Sequence, residues 1–370
     1  IALIFSYSLA IIMFNDFIDF KILIELFKFI IYLFSSYLLV LWYKSVYGEV
    51  FEQKLNTHIY FSVVFVAFTV ILFLFFPDIR NFAYSMLDMY IFGWRGPEQF
   101  ATRIVDLSIG GSTMSIVFLV GFVQGIMYRK FFKPKSVLYA VYQIMIVIAS
   151  AVVGRTGFLL IIFAFLIYVF SKVIVYVTLQ IKLNIATLFR IQMKIVCLIL
   201  GLGFISVLIS ITLLRFSPAH YIDVENIVNN IVPWAFEYIF SYYSTGKLTT
   251  ASTEELLEGF FLPEKATQLI FGNSDFNVNT DVGYLIFIHS IGLLGTCLVF
   301  FCYFYITLVA FKKMRSIFTA RLLLIYSLIT AIVNFKQIYF SSTRGGIVIY
   351  FLFFAITVCA KKKFLVTRFC

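Results

Sequence analysis

Long apolar runs, many of them close to the length of a membrane-crossing helix and separated by short charged connections, leave few folds open to this chain. A backbone in hydrocarbon must satisfy its own amides and carbonyls, so such runs become helices or the strands of a closed barrel. Barrel strands alternate apolar and polar positions. The runs here are continuous, as in the stretch 59–76, which carries only Ser62 and Thr69 as polar breaks. Helices are therefore expected, and the fold class is all-α: a polytopic membrane helical bundle of about ten transmembrane helices with one large outside loop containing short helices. Composition agrees. Of 370 residues, 62% are hydrophobic and 13% charged, where a soluble domain carries about 25% charged residues.

The expected spans are 1–14, 22–43, 59–76, 107–127, 137–153, 157–179, 193–214, 283–309, 319–338 and 346–360. The first is expected to be truncated, because Ile1 already lies inside an apolar run. One integral membrane domain is expected over 1–370, with the loop 215–282 within it. Basic clusters mark the cytoplasmic side. They are Lys361, Lys362, Lys363 and Arg368; Lys312, Lys313 and Arg315; Lys182, Arg190 and Lys194; and Arg129, Lys130, Lys133 and Lys135. A weaker inside loop is expected at 44–58, with Lys44 and Lys54. These clusters fall on alternate connections, which places both termini in the cytoplasm. The net charge of +11 is thus a positive-inside signature, and no nucleic-acid partner is expected.

The outside loop 215–282 holds nine acids and three bases. Ser252-Thr253-Glu254-Glu255 in it fits a helix-capping box, and the apolar, aromatic stretch 227–243 suits a helix lying on the membrane surface. The arginines are distributed differently from the lysines. Arg80, Arg95, Arg103, Arg155, Arg215 and Arg344 all fall on the outside. A guanidinium grips phosphate oxygens two at a time, so an outward arginine set at the membrane edge suits a lipid-linked diphosphate. Arg155, in Gly154-Arg155-Thr156-Gly157, and Arg344, in Thr343-Arg344-Gly345-Gly346, occupy tight turns between apolar runs. A charge held there is costly and marks a functional candidate. Arg215 stands at the mouth of the large loop; Arg103 is a weaker candidate, for which pairing with a lipid headgroup or a loop carboxylate serves as well. No metal site is expected, since the cysteines and histidines lack ligand spacing.

The segment Asp281-Val282-Gly283-Tyr284-Leu285, followed by Gly292-Leu293-Leu294-Gly295, resembles the loop-to-helix signature of the bacterial O-antigen polymerase and ligase superfamily. Tyr284, Leu285, Gly292 and Gly295 match in register, and Asp281 stands where the ligase branch carries histidine, a departure that favours the polymerase branch. The Arg155-Thr156-Gly157 turn and the long loop between late spans are similar as well. The resemblance implies a polysaccharide repeat-unit polymerase of the bacterial inner membrane, with 215–282 in the periplasm. Such a glycosyltransferase moves a growing glycan from polyprenyl diphosphate to the terminal sugar of another lipid-linked repeat, with no cofactor. The partners implied are the polyprenyl-diphosphate-linked oligosaccharide, membrane lipid, a chain-length regulator and a flippase. Arg155, Arg215 and Arg344 would hold the diphosphate, with Arg103 and Tyr284 as weaker substrate contacts. Asp281 would take the acceptor's proton, or cap the eighth span, or do both; His220 is the second candidate base. Two rival readings are a flippase for the same lipid-linked oligosaccharide, which predicts mid-span charges and two similar halves, and a glycan O-acyltransferase.

Overall fold

The structure is a computed structural model that describes residues 2–14, 21–86, 111–132, 136–154, 156–166, 237–246, 259–275, 278, 280, 282–314, 318–336 and 346–360. Among these residues the regular elements are all helices. In chain order they are α1 (Ala2–Phe14), α2 (Lys21–Tyr47), α3 (Phe51–Phe75), α4 (Pro77–Met86), α5 (Gly111–Phe132), α6 (Ser136–Val153), α7 (Thr156–Leu166), α8 (Glu237–Thr245), α9 (Ala266–Phe271), α10 (Gly283–Met314), α11 (Phe318–Val333) and α12 (Gly346–Cys359). Two helical stretches, Leu23–Phe75 and Gly283–Lys312, are long and apolar enough to cross a membrane. The first of these turns at Gly48, whose φ is 58°, and thereby joins α2 to α3. Tyr43 and His58, on either side of the turn, share a hydrogen bond of 3.0 Å.

The expected loop at 44–58 is the clearest departure from the sequence reading. Apart from the short turn at Gly48–Val50, it is helical, because α2 and α3 both run past the apolar stretch into polar residues. The added turns place Glu52 at the start of α3. The expected span 193–214 and the capping box at 252–255 lie outside the described residues.

The chain forms two compact units, one of residues 1–63, 124–135 and 237–370 and one of 64–123 and 136–236. In the first, α10 and α11 form an antiparallel hairpin. Thr307 of α10 shares a 3.0 Å hydrogen bond with Ser327 of α11 and a 3.2 Å bond with Tyr350 of α12. Helices α2 and α12 run parallel: Phe29 packs edge-on against Phe351, ring centroids 6.4 Å apart, and Lys44 further along donates to the Cys359 carbonyl at 2.9 Å. That carbonyl belongs to the last turn of α12, where no intrahelical donor remains, and a cation there also meets the negative end of the helix dipole. In the second unit, Gly157 of α7 is pressed against Ser115 of α5, whose Oγ accepts its amide at 3.1 Å.

Polar side chains fix the helix ends. Glu52 accepts both the amide and the hydroxyl of Thr319, at 3.2 and 2.8 Å, and so caps α11 from a neighbouring helix. Asn56, fully buried, donates to Thr319 Oγ1 at 2.9 Å and accepts from Gln124 Nε2 at 3.0 Å. The outer surface of α2 is the reverse: Phe27, Ile31, Phe34, Leu38 and Trp42 line one exposed face, opposite buried Phe29, Ser36 and Val40. A helix whose free face is this apolar is suited to lipid. Replacing Asn56 with alanine removes its hydrogen bonds to the Thr319 and Gln124 side chains, while Thr319 keeps Glu52 and Gln124 keeps the backbone carbonyl of residue 56; the expected cost is about 1–2 kcal/mol, read as a lowered unfolding midpoint of the purified protein in detergent. An unchanged midpoint would show that the Asn56 cluster carries no stability.

Candidate functional site: the interrupted helix α10

Of the expected site residues, Tyr284 lies among the described ones; Asp281, His220, Arg155, Arg215, Arg344 and Arg103 lie outside them. What the structure describes is the frame into which several of these residues lead. Asp281 stands two residues before α10, Arg344 two before α12, and Arg155 immediately before α7.

The start of α10 is locked to the end of α11. The Tyr284 amide, one of the donors left free at a helix start, reaches the Asn334 carbonyl at 3.2 Å. The Tyr284 hydroxyl donates to the Ala331 carbonyl at 2.8 Å. Its ring centroid lies 4.9 Å from that of Phe300 and 4.7 Å from that of Phe335. In this structure Tyr284 therefore joins two helix ends, one supplying spare amides and the other spare carbonyls. Just upstream, Thr280 Oγ1 accepts the Val282 amide at 3.1 Å, and Val282, Leu285 and Ile288 pack with Leu269 of α9.

Nine residues into α10 the helix breaks. Gly292 has φ 68° and ψ 177°, a left-handed φ that L side chains rarely adopt. The carbonyls of His289, Ser290 and Ile291 lose the amides one turn ahead. Each finds another donor: the Asn273 amide at 2.8 Å, the Ser274 amide at 3.1 Å and the Tyr7 hydroxyl of α1 at 3.2 Å. The donors at 273 and 274 come from the segment that follows α9. It turns at Gly272, φ 86°, and Ser274, φ 67°, and is held by Asn273 Oδ1 on the Asp275 amide at 3.0 Å and by Ser290 Oγ on the Asp275 carbonyl at 2.9 Å. His289 Nε2 lies 3.3 Å from the Phe261 carbonyl, and the two rings meet edge-on. Its imidazole is a tie between segments.

Three glycines make the closure possible. A Cβ at Gly292 would overlap the Ile270 carbonyl; one at Gly272 would lie 2.6 Å from the Ser290 oxygen; one at Gly295 would lie 2.7 Å from the Tyr7 ring. Gly292 and Gly295 were legible as a motif. Gly272, Tyr7 and the Asn273–Asp275 turn carry no such motif, although Gly-Asn-Ser-Asp is a run of turn-forming residues. No group of three potential metal ligands occurs among the described residues. The frame supplies hydroxyls and backbone groups that are largely committed to each other, so the charge for any chemistry must come from the residues leading into it.

Gly292→Ala should lose the folded protein, since it combines a left-handed φ with a backbone collision. Tyr7→Phe removes one donor and is expected to cost about 1–2 kcal/mol. Both are read as yield and unfolding midpoint in detergent; wild-type behaviour of Gly292→Ala would refute the described break. No protein-family model matches the chain, and comparison with curated proteins and with solved structures finds no match either.

Proposed function

We propose that this chain is a polytopic membrane glycosyltransferase that polymerises lipid-linked oligosaccharide repeats at the outer face of a bacterial inner membrane. The observation that carries the reading is the placement of Arg155 immediately before α7 and of Arg344 two residues before α12. A cation before a helix start meets the positive end of the dipole, so each arginine gains from an anion that binds it and the free amides together. A diphosphate is such an anion. The directions of α2, α10, α11 and α12 accord with a chain whose lysine-rich ends face the cytoplasm and whose arginine turns face out.

In the proposed reaction an acceptor sugar hydroxyl attacks the anomeric carbon of the donor glycan. The new C–O bond forms as the bond to the polyprenyl diphosphate breaks, and the electron pair leaves with the diphosphate. Arg155, Arg215 and Arg344 stabilise that charge. The proton passes to Asp281 or, as the second candidate, His220. Tyr284 and Arg103 contribute weaker contacts. A chain-length regulator and a flippase are the expected partners.

A flippase for the same lipid is the second reading, and the break in α10 favours it, since transporters use interrupted helices. Against it, the carbonyls freed at this break already accept protein donors, whereas transporters leave such carbonyls open to ions.

Deletion of the gene should leave single repeats on lipid A, and a normal polymer ladder in the deletion strain would sink the proposal. Arg155→Ala and Arg344→Ala should abolish chain growth with the protein still in the membrane. Asp281→Asn keeps a helix cap but cannot accept a proton; loss of polymer with an unchanged unfolding midpoint would assign it the base.

A further inference from the structure

The surroundings of α10 change abruptly at its break. From Leu285 to Ile291 every side chain is buried within the protein. From Leu293 onward one face is exposed and apolar, through Leu294, Phe301, Tyr305 and Leu308. About 20 residues at 1.5 Å each cross the hydrocarbon core, and counting back by that length from Phe311, next to Lys312, returns to Gly292. Exposure and length agree that Gly292 marks the outer boundary of the hydrocarbon when α10 crosses a membrane.

Helix α9 is fastened at that same level, because the Ile270 and Gly272 backbones abut Gly292. Yet α9 and the strand of chain before it expose large apolar side chains. Phe260 is 59% exposed, Leu262 49%, Ile270 46% and Phe271 50%. Phe261 is also exposed, although its carbonyl is tied to His289. No aqueous loop gains by holding five such groups in water through a set of fixed hydrogen bonds. Apolar and aromatic side chains fixed at a membrane boundary suit the region where headgroups meet acyl chains.

We infer that residues 259–275, although part of an acidic outside loop, form a lipid-docked element whose exposed face inserts among the outer-leaflet acyl chains beside Leu294. The occupant is bilayer lipid, because the exposed face is continuous with the lipid-suited face of α10. The inference rests on α10 being a membrane span. The first segment of α10 turns back at this boundary, since the Tyr284 ring lies 4.9 Å from that of Phe300, on the far side of Gly292.

The test uses the full-length protein in phosphatidylethanolamine and phosphatidylglycerol nanodiscs, with Phe260→Trp, Phe271→Trp and, as a control deep in α10, Phe301→Trp. Quenching of the added tryptophan is compared between lipids brominated high and low on the acyl chain, after subtracting the parent signal. Tryptophans at 260 and 271 should emit blue-shifted light and be quenched more by the shallow bromines, with that at 301 quenched more by the deep ones. If 301 is quenched while 260 and 271 are not and emit as in water, the docked element is wrong and the membrane reading of α10 stands. If none is quenched, the membrane reading falls with it. Disulfide-linked dimers from Ile270→Cys, in place of lipid quenching, would assign the face to a second copy and likewise overturn the inference.

Discussion

Backbone hydrogen bonds freed at Gly292 organise the larger unit of this protein. Away from water an unpaired carbonyl costs roughly 1–3 kcal/mol, so three of them in one helix would be a heavy burden. The chain meets this by bringing two distant segments to the break. Asn273 and Ser274 arrive from the segment that follows α9, and Tyr7 arrives from α1. Each of these contacts requires a missing side chain, at Gly272, Gly292 or Gly295. A local irregularity in one helix thereby determines where a loop lies and where α1 packs.

A second set of polar contacts works at the ends of other helices. Glu52 and Asn56 on α3 meet Thr319 at the start of α11, and Gln124 closes on Asn56 from α5. Thr307, Ser327 and Tyr350 do the same between α10, α11 and α12. Apolar surfaces associate weakly in lipid, since lipid is as apolar as they are, and polar pairs add the direction that such surfaces lack. The pairs also fix the rotation of each helix, which apolar packing alone leaves loosely determined.

Much of the helical pattern was readable because glycine and lysine punctuate it. The start of α12 at Gly346 and the extent of α6 follow from that punctuation. The loop expected at 44–58 was misplaced because Lys44, Glu49, Glu52 and Lys54 look like a solvated connection; in fact a helix carries them past the apolar region. The break at Gly292 and its closure were hidden for a different reason. A Gly-x-x-Gly spacing is compatible with a straight helix, and the donors that make a break tolerable lie about twenty and nearly three hundred residues away. Periodicity has no means of registering such partners. Of the candidate site, the sequence reveals the charged residues and the structure the frame around Tyr284, Gly292 and Gly295.

The pairing of α2 with α12, fixed at Phe29 and at Lys44, has a bearing on biosynthesis. Helices α1 and α2 are made well before α10 and α12, the helices they pack against. Until those helices emerge, the inner faces of α1 and α2 lack these partners, and Lys44 lacks the carbonyl it will later hold. These contacts can therefore close only after α12 is made, and a chain stalled before it would leave the inner faces of α1 and α2 uncovered.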